Sequence, residues 1–347
     1  MTRIPSPSRR RIMLGTGAAM ACASFARPAR AETRIKFILN WKYEGPQSYF
    51  FLAQDRGYFR DEGIDVAFDQ GNGSGAAVPQ VLNGAYDMGF GDINALIELA
   101  AKRTDTPFAT AVLYNRPPFA IVVKSDSGIK TPADLAGKTL GGAPNDGALK
   151  LFPTFCKLTK LDQNAVKITS IQPQLGAQML GRGQVDGIFG YNTTLWFATK
   201  LAGLDPANEL RFIRYSDYGM DLLSNSIIVS RALVTDQPEV VRGFLRALFR
   251  GLRDTVADPD AAIAGLAKRE PLIRAPLEKE KLLFTLRNDM SDPSIATIGL
   301  GAVDPARLAA SIDIIVAANN LPRTPKPAEV FMPEFMPPLA DRPEKLV

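Results

Sequence analysis

The chain has 347 residues, 46% hydrophobic and 22% charged, with 41 Lys and Arg, 36 Asp and Glu, two Cys and no His. That length exceeds one ordinary core and predicts two lobes, each burying its own apolar side chains. Without histidine, Ser-His-Asp, Cys-His and HExxH chemistry are excluded, and two cysteines cannot build a Cys-rich zinc site.

Taken in chain order, the first segment reads as an address. "SRRRIMLGTGAAMACASFARPARA" has a basic start at Arg9, Arg10 and Arg11, an apolar middle from Ile12 to Phe25, and Ala29-Arg30-Ala31. This is the pattern of an export signal over residues 1–31, twin-arginine-like at Ser8-Arg9-Arg10, with cleavage near Ala31 and a periplasmic destination. No apolar run reaches the roughly 18–20 residues that span a bilayer. Removing the six arginines of residues 1–31 leaves 35 basic against 36 acidic residues, a net charge of −1. The basic pI therefore belongs to the leader, and no nucleic-acid partner is expected. Cys156 alone would remain, which excludes an internal disulfide.

From Ile35 short apolar runs alternate with longer helical ones. "IKFILNW" reads as a buried strand, "SYFFLAQDRGYF" as a helix ending near Gly57, and "IDVAFDQ" as the next strand, broken by Gly71, Gly73 and Gly75. "AAVPQVLNGA" is a short helix with Pro79 in its first turn. "YDMGFGD", helix "INALIELAAKR", "FATAVLY" and "FAIVVKS" complete a first lobe. Thr131-Pro132-Ala133-Asp134 starts a helix, and "KTLGGA" follows as a strand. "GALKLFPTFCKLTKL" reads as a helix interrupted or restarted around Pro153. "VKITSIQ", "QLGAQMLGRGQ", "DGIFGY", "TLWFATKLAG" and "LRFIRYS" repeat the alternation as a second lobe. "SNSIIVSRALV" reads as a strand returning to the first lobe. Helices follow, among them "QPEVVRGFLRALFRGLRDTVA", whose arginines read as a solvated face. The class is α/β, with parallel sheets flanked by helices. Its parts are lobe 1 at 32–124 plus 225–335, lobe 2 at 125–224, and an irregular tail at 336–347.

In open parallel sheets ligands bind outside the carboxyl ends of the strands. Asn40, Trp41 and Tyr43 follow the first strand, Ser74 the second, Asp92 the third and Asn115 the fourth. In the second lobe Asn145 and Asp146 follow "TLGGA", and Tyr191 and Asn192 follow "GIFG". Tyr218 and Asp221 precede the return strand. All twelve are expected to rim one cleft between the lobes. Trp41 and the tyrosines would serve as flat walls, or as half-buried packing. Asp92 would face a ligand or cap the next helix. Gly71-Asn72-Gly73-Ser74-Gly75 reads either as a close approach to a ligand or as a plain strand-to-helix turn. It lacks the lysine of a P-loop and the spacing of a dinucleotide fingerprint.

"LNWKYEGPQSYFFLAQDRGYFRDEGIDVAF", "VLNGAYDMGFGD", "TPADLAGKTLGG" and "DYGMDLLSNSIIVS" together resemble the NMT1/THI5-like substrate-binding proteins, relatives of the nitrate-, sulfonate- and taurine-binding proteins of ABC importers. The resemblance spans nearly the whole chain after residue 31. It implies a type II periplasmic-binding-protein fold: two Rossmann-like lobes joined by two strands that close over a small molecule. It also implies a monomer that hands its ligand to an inner-membrane permease with a cytoplasmic ATPase. No cofactor, metal or catalytic residue is expected. Members that read pyrimidines carry a histidine a few residues after the first-strand Trp, where this chain has Gln47. They also carry a carboxylate soon after the second-lobe tyrosine, where this chain has "YNTTLW". Arg116 is the candidate for a sulfonate clamp. The alternatives are a sensor partner of a membrane kinase and an enzyme akin to the pyrimidine synthases of this group. Those synthases use a lysine-bound pyridoxal phosphate and consume a histidine of their own, which this chain cannot supply.

Overall fold

The computed structural model describes residues 1–2 and 32–346. The export-signal reading falls on residues 3–31, outside the described residues. The strands in chain order are β1 (Thr33–Ile38), β2 (Ile64–Asp69), β3 (Met88–Asp92), β4 (Phe108–Val112), β5 (Phe119–Lys124), β6 (Thr139–Gly142), β7 (Lys167–Ser170), β8 (Gly187–Tyr191), β9 (Leu210–Arg214) and β10 (Asn225–Val229). They form two five-stranded sheets, ordered β2-β1-β3-β10-β4 and β7-β6-β8-β5-β9. β1 pairs in parallel with β2 and β3, and β6 with β7 and β8. β10 runs antiparallel between β3 and β4, and β5 antiparallel between β8 and β9. Each sheet is therefore mixed, where the sequence pattern suggests a parallel one.

The chain passes between the sheets twice, through residues 113–118 and 215–224. β10 returns to the first sheet as its apolar run suggests. β5 does not belong to the first lobe's strands. "FAIVV" offers five apolar positions in a row before Lys124 and so no alternation to mark a face, and its pairing partners Tyr191 and Arg214 lie far along the chain, so its sheet is a tertiary decision. The helix Gly147–Thr159 runs unbroken through Pro153, so no restart occurs there. The Thr131-Pro132 start yields a single 3₁₀ turn, Pro132–Leu135, with the Asp134 carboxylate accepting from Thr131 N at 2.8 Å.

The first lobe buries an aromatic cluster. Phe37 stacks on Phe244 with centroids 5.2 Å apart, and Phe50, Phe59 and Phe68 surround them. Phe244 comes from the helix Pro238–Ala257, which presses Val241, Leu245, Leu248 and Leu252 into the same core. Its arginines are more than a solvated face. Arg246 clamps Glu62 in a fork at 3.0 and 2.7 Å, and Arg250 lies 3.9 Å over the Tyr58 ring. The tail at 336–346 is irregular but docked: Leu346 is buried and Arg342 donates to the Leu300 carbonyl at 3.3 Å.

Candidate functional site

A cleft of about 280 Å3 lies between residues of the two sheets' loops. The carboxyl end of β1 delivers Asn40, Trp41, Glu44 and Gln47 to one wall. The turn Gly45–Gln47 sits tightly against the helix Ala275–Thr285, since a Cβ on Gly45 would lie 1.9 Å from the Glu278 carbonyl oxygen. Only glycine permits that approach, and Gly45 N donates to Glu278 Oε2 at 2.7 Å. The packing brings Lys281, Thr285 and Asp289 into the cleft, four residues apart along one helical face. Tyr191, Thr193, Thr194 and Phe197 of the second lobe line it from the other side, and Tyr114 lines it as well.

The charges in the cleft are mostly negative. Lys281 pairs with Glu278 at 2.9 Å and Glu44 at 3.2 Å, and the lysine and Glu278 are both buried. Burial lifts the Glu44 pKa, with Lys281 opposing the rise. For Lys281 burial works downward, but the two carboxylates outweigh it and hold the ammonium above the ordinary lysine range. Asp289 has no such cation. It is 1% exposed, and burial pushes its carboxyl up to about 7 while the Thr193 hydroxyl, donating to Oδ2 at 2.5 Å, pulls the other way. Among the described residues its Oδ1 has no partner, and neither do Gln47 Oε1 and Thr285 Oγ1.

Beside this cleft the two lobes touch along a seam. Tyr191 Oη hydrogen-bonds Ser74 Oγ at 2.7 Å, Ser224 Oγ at 2.9 Å and Asn225 Oδ1 at 3.1 Å. Gly75 N donates to the Asn145 carbonyl at 3.3 Å, and Asn145 Nδ2 to Asn72 Oδ1 at 3.3 Å. A Cβ on Gly73, whose φ is +137°, would fall 2.3 Å from the Asn145 oxygen. The glycine-rich loop therefore lets one lobe's backbone meet the other's. A small chamber of about 40 Å3, lined by Asn40, Trp41, Ser74, Asp146 and Tyr191, joins this seam to the main cleft.

The twelve sequence-predicted residues divide accordingly. Asn40, Trp41 and Tyr191 line the main cleft; Ser74 and Asp146 line the adjoining chamber. Asn40 Oδ1 accepts from Gln47 Nε2 at 3.0 Å. Asp146 caps its helix through Ala148 N and Leu149 N, and burial at the seam raises its carboxyl to about 6 against those bonds. Asn145 sits on a rim pocket shared with Trp41. Asp92 caps the helix Ile93–Ala100 by accepting from Asn94 N at 3.1 Å, and it lines a second pocket with Asn94 and Glu98. Burial lifts its pKa to about 7, against the hydrogen bonds from Asn94. Asn115 and Asn192 lie at the crossover, where Asn192 N donates to the Pro118 carbonyl at 2.7 Å; the side-chain oxygen of each has no partner.

Three expectations need correction. Tyr43, half-buried, packs against the first lobe's core, its hydroxyl donating to the Phe68 carbonyl at 2.5 Å and its ring edge-on to Phe51. Tyr218 packs edge-on against Phe155, 5.7 Å between centroids. Asp221 is exposed and pairs with Arg307 at 2.9 Å. All three lie beyond strand ends but turn outward or inward, a choice that chain position does not encode. Arg116 is exposed and does not line the main cleft. Glu44, Lys281, Thr285 and Asp289 line the cleft without standing at a predicted site position; for the last three a signal was present. The signal available was polar residues at spacing four within "KLLFTLRND".

Two mixed sheets joined by two crossovers, with a cleft at the strand ends, define the type II periplasmic-binding-protein fold. The chain belongs to the NMT1/THI5 like family, which matches residues 47–262. It is 26% identical over 259 residues to the 4-amino-5-hydroxymethyl-2-methylpyrimidine phosphate synthase of Aspergillus parasiticus, covering 71% of this chain and 74% of that protein. It is 26% identical over 298 residues to the riboflavin-binding protein RibY of Chloroflexus aurantiacus, 83% and 82% of the two chains. Its fold matches the alkanesulfonate-binding protein SsuA of Xanthomonas axonopodis pv. citri, solved with MOPS, at a TM-score of 0.64 and 18% identity, covering 87% and 99%.

Proposed function

We propose that this protein is an exported solute receptor that binds a small aromatic or heterocyclic molecule between its lobes and delivers it to an ABC importer. One observation carries the reading. The cleft combines flat and apolar walls, Trp41, Tyr114, Tyr191 and Phe197, with a few buried polar groups that have no partner among the described residues. That is the make-up of a small-molecule site. Tyr191 and Thr193 of the second lobe reach first-lobe groups directly, so a guest contacting both walls would favour the closed arrangement. Release to a permease and its cytoplasmic ATPase follows when that bias is undone.

The synthase relatives make an enzyme the rival reading. Two features favour binding over that chemistry. The chain contains no histidine. The lysine lining the main cleft, Lys281, is held protonated between two glutamates, whereas Schiff-base formation needs the neutral amine. Native mass spectrometry of freshly purified protein, followed by denaturation and identification of any released compound, tests the reading. A stoichiometric small molecule released unchanged supports a receptor. Turnover of that molecule, or pyridoxal absorbance in the pure protein, would replace it with the enzyme.

A further inference from the structure

The unpartnered atoms in the main cleft say what kind of ligand it takes. Asp289 Oδ1, Gln47 Oε1 and Thr285 Oγ1 are all buried, all without a hydrogen-bond partner among the described residues, and all belong to residues lining the same cavity. The two amide atoms of Gln47 are interchangeable by a flip, and a threonine hydroxyl donates as readily as it accepts. The Asp289 carboxylate is different: ionised, it only accepts. Its second oxygen already takes the Thr193 hydroxyl, and its backbone carbonyl takes Arg116 N at 3.0 Å.

Among the described residues no cation within the cleft neutralises Asp289. Lys281 is the cationic residue of the lining, and it is committed to Glu44 and Glu278 two helical turns away. Together these groups make the cleft lining net negative. A buried carboxylate without a cation or enough donors is costly. A ligand that brings N–H donors relieves that cost, while a sulfonate or carboxylate would add a second uncompensated charge.

We infer that the ligand is a flat ring bearing N–H donors, neutral or cationic, that it docks a nitrogen on Asp289 Oδ1, and that the cleft rejects anions. This rests on the cleft being the solute site. Asp289 is then the residue that sets the electrostatic class of the ligand, with Trp41 and Phe197 forming the walls around the ring.

Isothermal titration at pH 8 with four single-ring probes tests it: benzamidine, 4-aminopyrimidine, benzoate and benzenesulfonate. The two donor-bearing rings are expected to bind and the two anions to leave no measurable heat. Asp289→Asn is expected to weaken benzamidine at least tenfold while the protein stays folded, because it removes an uncompensated charge at constant shape. Thr285→Val, a milder change at the neighbouring atom, is expected to weaken both donor rings about threefold and guards against a folding defect in the first variant. Benzoate or benzenesulfonate binding as tightly as benzamidine overturns the inference and leaves the receptor reading standing. So does benzamidine affinity that Asp289→Asn does not change. If none of the four binds, the compound identified by native mass spectrometry decides: an N–H donor supports the inference and an anion or acceptor-only ring overturns it. No bound compound at all removes the receptor reading and this inference with it.

Discussion

Gly73→Ala probes whether the seam between the lobes controls ligand binding. Gly73 has φ +137° and ψ 142°, a region open to glycine but not to residues with a side chain. The new methyl group would sit 2.3 Å from the Asn145 oxygen and 2.8 Å from its Cβ, against an ordinary contact of at least 3.4 Å. Relieving that overlap requires the loops to separate by about 1 Å. The contacts at risk are Gly75 N to Asn145 O at 3.3 Å and Tyr191 to Ser74 at 2.7 Å. At about 0.5–1.5 kcal/mol each, they amount to about 1–3 kcal/mol of closed-state stabilisation. Ligand affinity should therefore fall about 5- to 150-fold. Gly128→Ala is the control. Its φ is +76° but nothing lies within 4 Å of its Cβ, so it should cost about 1–2 kcal/mol of stability and leave affinity alone. Titration calorimetry with the co-purified compound reads the affinities, and small-angle scattering reads the lobe separation. If both variants lose the same stability and neither loses affinity, the seam is a passive contact and the reasoning fails.

Other expectations follow from the same geometry. Trp41→Ala should weaken ligand binding by about 1–3 kcal/mol with little change in melting temperature; unchanged affinity in a titration would assign Trp41 to packing. Tyr43→Phe should bind ligand normally and lose about 1 kcal/mol of stability, since it removes only the bond to the Phe68 carbonyl; a large affinity loss in the same titration would return Tyr43 to the site. Lys281→Met strands Glu44 and Glu278 without their cation, so urea unfolding should show a loss of about 3–5 kcal/mol; a loss under 1 kcal/mol would show that water already reaches the pair. Asp92 and Asp289 are raised from 3.8 to about 7, and Asp146 to about 6. Between about pH 4 and 7 the folded state thus holds protons that the unfolded chain has lost, and stability falls as pH rises through that window. Each carboxyl raised to about 7 contributes up to about 4 kcal/mol of this loss. Ligand-free protein should melt at a higher temperature at pH 5.5 than at pH 7.5; the reverse order in a thermal scan would mean that these carboxyls are hydrated.

Much of the architecture was legible in one dimension. Strand and helix differ in apolar period, so "IKFIL", "SYFFLAQD" and their successors marked alternating elements and hence an α/β chain. The ends of β1 and β8 were marked as well, because turn residues and helix starts bound them; Asn40, Trp41 and Tyr191 followed from that rule. Asp92 was marked as a possible helix cap for the same local reason, and the structure gives Asp146 that role as well. Only the tertiary structure decided which sheet β5 joins, since a strand apolar at every position before its last residue satisfies either. It also decided the side to which each strand-end residue turns: Tyr43 and Tyr218 share the signature of Trp41 yet face packed rings. The glycine-rich loop shows the same limit. Its freedom of backbone was readable, but its partner, the Asn145 carbonyl of the other lobe, lies 72 residues further along the chain. The polar floor at Lys281, Thr285 and Asp289 was hidden for a related reason. Those side chains read as the polar face of an ordinary surface helix until the Gly45 turn packs against that helix and closes water out. Periodicity reports which residues share a face; burial and unpaired charge arise only when distant faces meet.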